Sequence, residues 1–255
     1  MLFRSLDQDT TNRLGNPIFV NGTKEERIFE LINHEQNSNA HALWCIRGGV
    51  GAIELIETYT PPKRSLPLIG FSDVTVLHLH RFLYDKRIGI HAPVAHQSCS
   101  EQEQKMLSSL LLQRKICYPT LQAINNNNLA KIKGELIVMN LASLQSMLGY
   151  IDNNFFKGVI LAIEDNNIKH YQWYRAMQQL KNAQILQNIS GLIIGHIDNE
   201  RKDCLKTTVN LANEYGLSVF DWPYFGHESP NLPLLFGGLV NLVKINSYDY
   251  ELVYQ

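Results

Sequence analysis

The chain of 255 residues carries 23 basic and 24 acidic side chains, which are scattered along it and give a formal net charge of -1. This balance argues against a nucleic-acid-binding protein, because such a protein shows a basic face. The four cysteines form no C-x-x-C pair, which indicates reduced thiols in a cytosolic protein rather than a zinc or redox site. We expect neither a secretory leader nor a membrane span, since no run of about 18 apolar residues occurs.

Strands and helices alternate in the first half of the chain. A capping box at Thr23 and Glu26 predicts the start of a helix after the weakly patterned segment 1–20. This alternation predicts a parallel α/β layer. The apolar runs predict strands at 42–46, 66–69 and 88–94, and the helical spacing predicts helices just after Gly51, just after Asp73 and at 101–112.

A linker is predicted at 118–133, where the pattern fails and four asparagines follow one another at 125–128. It would divide the chain into an N-terminal domain at 1–117 and a C-terminal domain at 134–255. The second domain is predicted to be richer in strands than the first. Its strands are expected at 134–138, 158–163, 191–197 and 217–220 and in a hairpin at 239–254, and its helices at 141–148, 171–186 and 204–215.

The stretch 66–84 organises the first domain. A buried strand ends at Gly70, and a helix with one apolar face begins just after Ser72 and Asp73. A serine in such a strand-to-helix turn is held rigidly with its hydroxyl outward, as in a nucleophile elbow, although the general pattern G-x-S-x-G would have glycine where Val74 stands. We therefore expect a strained backbone at Ser72 and a hydroxyl that faces a cleft. The alternative is that Ser72 or Asp73 merely caps the helix.

Two further residues could act with Ser72. Glu164 ends an apolar strand, where a carboxylate is costly unless it has a partner. His227 lies in a loop rich in glycine and proline, and an imidazole can take the proton that a serine must lose to become a nucleophile. The order serine, acid, histidine is that of the α/β-hydrolase triad. Taken singly, Glu164 could be a surface strand end and His227 an ordinary loop residue.

The turn Gly48-Gly49-Val50-Gly51 is open to three interpretations. It could offer backbone N–H groups to an oxyanion, or it could be a tight structural turn. A dinucleotide loop is less favoured, because G-x-G-x-x-G is incomplete and no acidic residue follows at the right distance.

Histidines near the elbow raise the question of a metal site. His78 and His80 are one residue apart on a predicted helix, so they point in different directions. Together with His91 and His96 they could be assembled around a metal ion, but the strict geometry of such sites makes this the less favoured interpretation.

Five motifs resemble, in chain order, those of the LD-carboxypeptidase family of serine peptidases, which also contains the microcin C self-immunity peptidases. The resemblance extends over most of the chain, from about residue 19 to about residue 238. The motifs are the turn RGGVG at 47–51, the elbow GFSDVT at 70–75, HAP at 91–93, the strand end ILAIED at 160–165 and the loop GHESPNLP at 226–233.

The resemblance implies roles for individual residues. Ser72 would be the nucleophile, His227 its base and Glu164 the residue that orients the histidine. The oxyanion would lie on the backbone N–H groups of Asp73 and Gly49. The implied substrate-binding residues are Arg47, Gly48, His91, Asn140 and Arg175.

The resemblance also implies a fold and an activity. The fold would be a Rossmann-like N-terminal half and a β-rich α/β C-terminal half, with the site between them. The family hydrolyses the amide between an L-centre and a terminal D-amino acid in cell-wall tetrapeptides, which gives tripeptide for recycling in the cytoplasm. We therefore expect a cytoplasmic carboxypeptidase, homodimeric like many members of the family, that acts on such a peptide. No cofactor, metal, nucleic acid or membrane partner is expected.

Departures from the family pattern keep two alternatives open. The family's opening strand and A-P-S-like turn are not recognisable, its G-G-N-L is Val138-Met139-Asn140-Leu141, and a further glutamate is replaced by Asn166-Asn167-Ile168. The chain could thus be a microcin-immunity-like amide hydrolase, or a peptide-binding relative without activity. The retained serine, glutamate and histidine favour an enzyme.

Overall fold

A computed structural model describes residues 22–36, 39–63, 66–125 and 129–255, so the predicted segment 1–20 and the asparagines at 126–128 lie outside it. The α-helices in the described residues are α1 (Lys24–Gln36), α2 (Val74–Asp85), α3 (Glu101–Leu111), α4 (Leu141–Met147), α5 (His170–Asn182), α6 (Ile185–Asn188) and α7 (Arg201–Asn213). The strands are β1 (Leu43–Trp44), β2 (Leu68–Gly70), β3 (Gly89–His91), β4 (Leu121–Ala123), β5 (Lys131–Asn140), β6 (Ile160–Asp165), β7 (Gly191–Ile197), β8 (Val219–Asp221), β9 (Leu234–Phe236), β10 (Leu239–Lys244) and β11 (Asp249–Tyr254).

A four-stranded sheet in the order β1-β2-β3-β9 forms the N-terminal part. Strands β1, β2 and β3 are parallel, which confirms the predicted parallel layer. Strand β9 comes from the far end of the chain and pairs antiparallel with β3, with Leu235 opposite Ile90. This sheet therefore contains a strand that the sequence analysis did not predict.

The second half closes into a barrel in the order β10-β11-β4-β8-β7-β6-β5, which confirms its β-rich character. Strands β5 to β8 are parallel, and the remaining pairings are antiparallel. The predicted terminal hairpin is present as β10 and β11. Every residue of β6 is buried, as expected for a parallel strand that is covered on both faces.

Helix α2, which follows Ser72, lies inside the protein rather than on its surface. Its residues from Val74 to Phe82 are all buried, so the prediction of one apolar face was wrong. The polar side chains find partners: His78 Nε2 lies 3.1 Å from the Gly70 carbonyl oxygen, and the Arg81 guanidinium lies 3.1 Å from the Glu35 carboxylate. The helix contacts both β5 and α4, which fixes the elbow against the second half.

Three predicted segments differ from the structure. The helix expected after Gly51 is only a 3₁₀ helix at Ala52–Glu54, and the helix expected at 171–186 is divided into α5 and α6 by the left-handed Gln184, with φ of 61°. The predicted linker 118–133 contains β4 and the start of β5, so these residues belong to the barrel. A strand of three residues is too short to show an alternating pattern.

The capping box at Thr23 is confirmed. The Thr23 N–H donates to Glu26 Oε2 at 2.8 Å, and the Glu26 N–H donates to Thr23 Oγ1 at 3.2 Å. Within the described residues, no helix combines the length and the apolar character needed to cross a bilayer.

Candidate active site

Ser72 lies in the turn between β2 and α2 with a φ of 61°, in the left-handed region that serine rarely adopts. The backbone strain predicted for an elbow is therefore present. Gly70 allows the turn, because a Cβ there would lie 3.0 Å from a methyl carbon of Val74 and 3.2 Å from the Cβ of Cys45. The tight approach between strand and helix holds the serine in this conformation.

Asp73 directly precedes α2, in the N-cap position, but its side chain does not cap the helix. No side chain caps the first turn of this helix, so the alternative of a simple cap for Ser72 or Asp73 is wrong. Instead, Asp73 Oδ2 accepts a hydrogen bond from the Ala52 N–H at 2.9 Å. Burial raises the pKa of Asp73 to about 6, and this bond opposes the rise. The carboxylate thereby fastens the elbow to the segment that follows the glycine turn.

Ser72, His227 and Glu164 meet, although they are far apart in the sequence. His227 Nε2 lies 3.1 Å from Ser72 Oγ, and His227 Nδ1 lies 2.7 Å from Glu164 Oε2. Glu164 stands near the end of β6 and is fully buried. The three side chains thus have the order nucleophile, base and orienting carboxylate that acyl transfer requires.

The environment of His227 raises its pKa. Burial alone would lower it, but the hydrogen bond to Glu164 and the negative charge of Glu164 outweigh burial. The ring of Phe71 packs edge-on against the imidazole, with 4.8 Å between the ring centroids. A base whose pKa is raised in this way is a stronger proton acceptor for the serine hydroxyl.

Asn140 holds the second oxygen of Glu164. Its Nδ2 donates to Glu164 Oε1 at 3.3 Å and to Asp165 Oδ1 at 3.2 Å. Its Oδ1 accepts from the Ser143 N–H at 3.0 Å and so caps α4. Burial, followed by the charge of Glu164, raises the pKa of Asp165. The Asn140 side-chain amide therefore donates hydrogen bonds to two adjacent buried carboxylates.

The glycine turn packs directly against the serine. A Cβ on Gly48 would lie 3.0 Å from the Cβ of Ser72 and 3.2 Å from its Oγ, so any larger residue would press against the serine. Among the described residues, neither the Gly49 N–H nor the Asp73 N–H donates a hydrogen bond to the protein. This placement favours the oxyanion interpretation of the turn.

An open pocket of about 360 Å³ lies beside Ser72. Its lining comes mainly from the carboxyl ends of β1, β2 and β3, where ligands of parallel sheets commonly bind. The lining residues are Arg47, Gly48, Gly49, Phe71, Ser72, Val94, His96, Gln97 and His227.

Comparison with known proteins decides the family. Residues 4–92 match the LD-carboxypeptidase N-terminal domain, and residues 133–242 match the LD-carboxypeptidase C-terminal domain. The chain belongs to the LD-carboxypeptidase family. The murein tetrapeptide carboxypeptidase of Pseudomonas aeruginosa is 27% identical over 225 residues, which are 82% of this chain and 73% of that relative.

Solved structures share this fold. The muramoyltetrapeptide carboxypeptidase of Oxalobacter formigenes superposes with a TM-score of 0.72 at 21% identity, over 91% of this chain and 83% of that one. MccF in complex with glutamyl sulfamoyl guanosine superposes with a TM-score of 0.74 at 17% identity, over 92% of this chain and 82% of that one. At these identities the likeness establishes the architecture of the LD-carboxypeptidase family and no more.

Three substrate-binding residues implied by the family resemblance do not lie at the pocket. His91 is fully buried between the rings of Phe71 and Phe225, and burial lowers its pKa to about 3, so the ring is neutral. Asn140 is buried behind Glu164, as described above. Arg175 is exposed on α5, where its guanidinium lies 5.4 Å from the centroid of the Tyr171 ring. Arg47 and Gly48 do line the pocket.

Four pocket residues were not assigned to the site from the sequence. Phe71 precedes Ser72, and Val94, His96 and Gln97 follow β3. The sequence could have pointed to the last three, because they follow the third predicted parallel strand just as Ser72 follows the second. Residues beyond the carboxyl ends of neighbouring parallel strands commonly form a binding site together.

Proposed function

We propose that this protein is a serine carboxypeptidase that removes a terminal D-amino acid from a cell-wall tetrapeptide. The observation that carries the proposal is the continuous hydrogen-bonded chain from Ser72 Oγ through His227 to the buried Glu164, at 3.1 and 2.7 Å. Membership of the LD-carboxypeptidase family supports the substrate class.

The geometry supports a two-step acyl transfer. Ser72 Oγ attacks the carbonyl carbon of the L-centre while its proton passes to His227 Nε2. The negative charge that forms on the carbonyl oxygen is stabilised by the N–H groups of Asp73 and Gly49. His227 then gives the proton to the nitrogen of the leaving D-amino acid, and the C–N bond breaks to leave an acyl-enzyme. Water activated by His227 releases the tripeptide and restores Ser72.

The cellular setting is part of the same proposal. We infer a cytoplasmic homodimer that recycles wall peptides, in keeping with the reduced thiols and with the family. Cell fractionation and sedimentation of the purified protein test these two points. Recovery of the protein with membranes, or a monomer at micromolar concentration, would contradict them.

The activity itself is tested by mass spectrometry. The purified protein is incubated with the tetrapeptide, and loss of the terminal D-alanine is followed over time. We expect conversion to tripeptide by the wild type and none by Ser72→Ala. A wild-type protein that binds the tetrapeptide without hydrolysing it would instead support the non-catalytic alternative.

A second substrate class is worth a parallel assay, because MccF shares the architecture with a TM-score of 0.74. An aminoacyl sulfamoyl nucleoside is offered to the wild type under the same conditions. Cleavage of this compound, with the tetrapeptide left intact, would favour the microcin-immunity-like alternative over the carboxypeptidase.

A further inference from the structure

Arg27 is a buried residue of α1 that contacts the end of the glycine turn 47–51. Its Nη1 donates to the Gly51 carbonyl at 3.0 Å, and its Nη2 pairs with the Glu54 carboxylate. Arginine is almost never fully buried unless it is paired, so these two partners account for its position. The proposed mechanism assigns no part to this arginine.

The glycine turn depends on contacts from outside itself. Gly49 and Gly51 have φ angles of 129° and 105°, which residues with a side chain rarely adopt. Glycine also loses more conformational freedom on folding than any other residue, so a glycine-rich turn keeps one shape only when its ends are held. The first end is held by the segment after β3, because the His96 N–H donates to the Ile46 carbonyl at 3.0 Å.

Arg27 holds the second end of the turn, both directly and through Asp73. The Gly51 carbonyl accepts from Arg27 and, at 3.3 Å, from the Glu54 N–H. The next residue, Ala52, donates its N–H to Asp73 Oδ2 at 2.9 Å. Burial raises the pKa of Asp73 to about 6, and the bond from Ala52 and the charge of Arg27 oppose the rise. Arg27 therefore favours the carboxylate form of Asp73, which is the stronger acceptor for Ala52.

The held end lies close in the chain to Gly49, the proposed oxyanion donor. A Cβ on Gly48 would lie 3.0 Å from the Cβ of Ser72, so the turn passes directly beside the serine. Oxyanion donors act when they lie about 2.7–3.1 Å from the position of the developing charge. A displacement of about 1 Å, passed along the turn from Gly51, would take the Gly49 N–H out of this range.

We propose that Arg27 is a positioning residue that keeps the Gly49 N–H directed at the oxygen on which negative charge forms. It acts through the Gly51 carbonyl and not on the substrate itself. This inference rests on the proposed function and deepens it, since the oxyanion donors belong to that mechanism. The arginine of α1 thereby links a helix outside both sheets to the chemistry at Ser72.

Arg27→Met tests the inference, because it removes the guanidinium and keeps an apolar stem. Removing an oxyanion donor outright costs about 100- to 1,000-fold in kcat, so a donor that is present but displaced should cost about 10- to 100-fold. KM for the tetrapeptide should change by less than about threefold, because the donor acts on charge that is present only in the transition state. Arg27→Lys should recover part of kcat, since its ammonium keeps the charge and can donate to the Gly51 carbonyl.

A boronic acid separates positioning from a general loss of structure. The probe is the tripeptide product with its terminal carboxyl group replaced by a boronic acid. Ser72 Oγ adds to boron while its proton passes to His227, which gives a tetrahedral boronate with an oxygen where the oxyanion would form. The affinity for this probe should fall in Arg27→Met by the same factor as kcat/KM. The affinity for the intact tetrapeptide, measured by calorimetry in the Ser72→Ala background, should not fall when Arg27→Met is added.

Lys24→Met is the matched control. Lys24 lies on the same helix, and its Nζ bonds to Glu57 Oε2 at 2.6 Å. The variant therefore removes another ion pair between α1 and the segment after the turn, without touching Gly51. It should keep the wild-type kcat and the wild-type affinity for the boronic acid, and circular dichroism confirms folding of each variant.

Several results would overturn the inference. They are wild-type kcat in a folded Arg27→Met protein, a rise in KM without a fall in kcat, a boronic acid affinity that does not follow kcat/KM, or an equal loss in Lys24→Met. If Arg27→Met does not fold, Arg27→Lys is compared with the wild type, and unchanged kcat and boronic acid affinity would overturn the inference. Failure of the wild type to hydrolyse the tetrapeptide is a separate result that would refute the proposed function. The boronic acid affinities of the wild type and Arg27→Met then still decide the role of Arg27.

Discussion

Glu164→Gln keeps the shape of the buried carboxylate of the proposed triad and removes its charge. In the wild type, Glu164 Oε2 faces His227 Nδ1 and Oε1 faces the Nδ2 group of Asn140. Neither orientation of a glutamine amide satisfies both of these partners. If the amide oxygen faces His227, its NH₂ group meets the NH₂ group of Asn140, donor against donor. If the amide is flipped, its NH₂ group requires His227 Nδ1 to be an acceptor. The proton then lies on Nε2, which can no longer accept one from Ser72.

The expected loss is large and has a defined pH dependence. A wrong tautomer in a serine triad costs about 10⁴-fold in kcat, which is about 5 kcal/mol of transition-state stabilisation. In the proposed mechanism neutral His227 is the active form, so kcat/KM should rise as pH rises through its raised pKa. Burial lowers that pKa, and Glu164 is the main group that raises it. The rise of kcat/KM on the acid side of the pH profile, its acid limb, should therefore occur at lower pH in the variant than in the wild type.

The assay is tetrapeptide hydrolysis from pH 5 to 9, with kcat/KM for each variant and circular dichroism as the folding control. Glu228→Gln is the matched control, because Glu228 is the exposed neighbour of His227 and bonds to His196 outside the triad. It should remain close to the wild type. A folded Glu164→Gln protein with wild-type kcat, or with an acid limb at higher pH, would refute the assignment of Glu164.

Further variants test other parts of the site. Ser72→Ala and His227→Ala should each abolish nearly all hydrolysis, and the double variant should be no worse than either, because the two groups act as one unit; additive losses in kcat would contradict this. Asn140→Ala leaves Glu164 Oε1 without its donor, so it should lower both kcat and the free energy of unfolding in urea, the latter by about 1–3 kcal/mol. If neither value changed, the contact would contribute to neither stability nor turnover. Gly226→Ala would place a Cβ 2.9 Å from Glu164 Oε2 at a φ of 127°, so kcat should fall while KM changes little; wild-type kcat in a folded protein would show that the loop adjusts.

Ser72 and Glu164 could be proposed as site residues from the sequence because each lies where a local pattern changes. Ser72 follows a short apolar strand and precedes a helix, and Glu164 ends an uninterrupted apolar strand. Such changes of pattern are visible without knowledge of the tertiary structure. The distances between Ser72, Glu164 and His227 cannot be read from the sequence, because they depend on pairings between strands that are far apart in the chain.

His91 and Asn140, which the family resemblance implied as substrate-binding residues, lie outside the pocket for a related reason. A motif shows that a residue stands near the site, but it does not show whether the side chain points into the pocket or behind it. β3 is buried on both faces, so His91 packs between aromatic rings and not toward the ligand. Asn140 ends β5 beside β6, and its pairing register with Glu164 places it behind the triad.

Strand β9 explains how a histidine from the second half reaches a serine of the first. The loop that carries His227 leaves the barrel after β8 and enters the first sheet as β9, where Leu235 pairs with Ile90 of β3. Tyr118 Oη donates to the Pro233 carbonyl at 2.8 Å just before that strand. Both ends of the loop are therefore held, one by the structure that contains Glu164 and the other by the sheet that contains Ser72. The loop thus spans the two parts of the structure, and it carries His227 Nε2 to 3.1 Å from Ser72 Oγ.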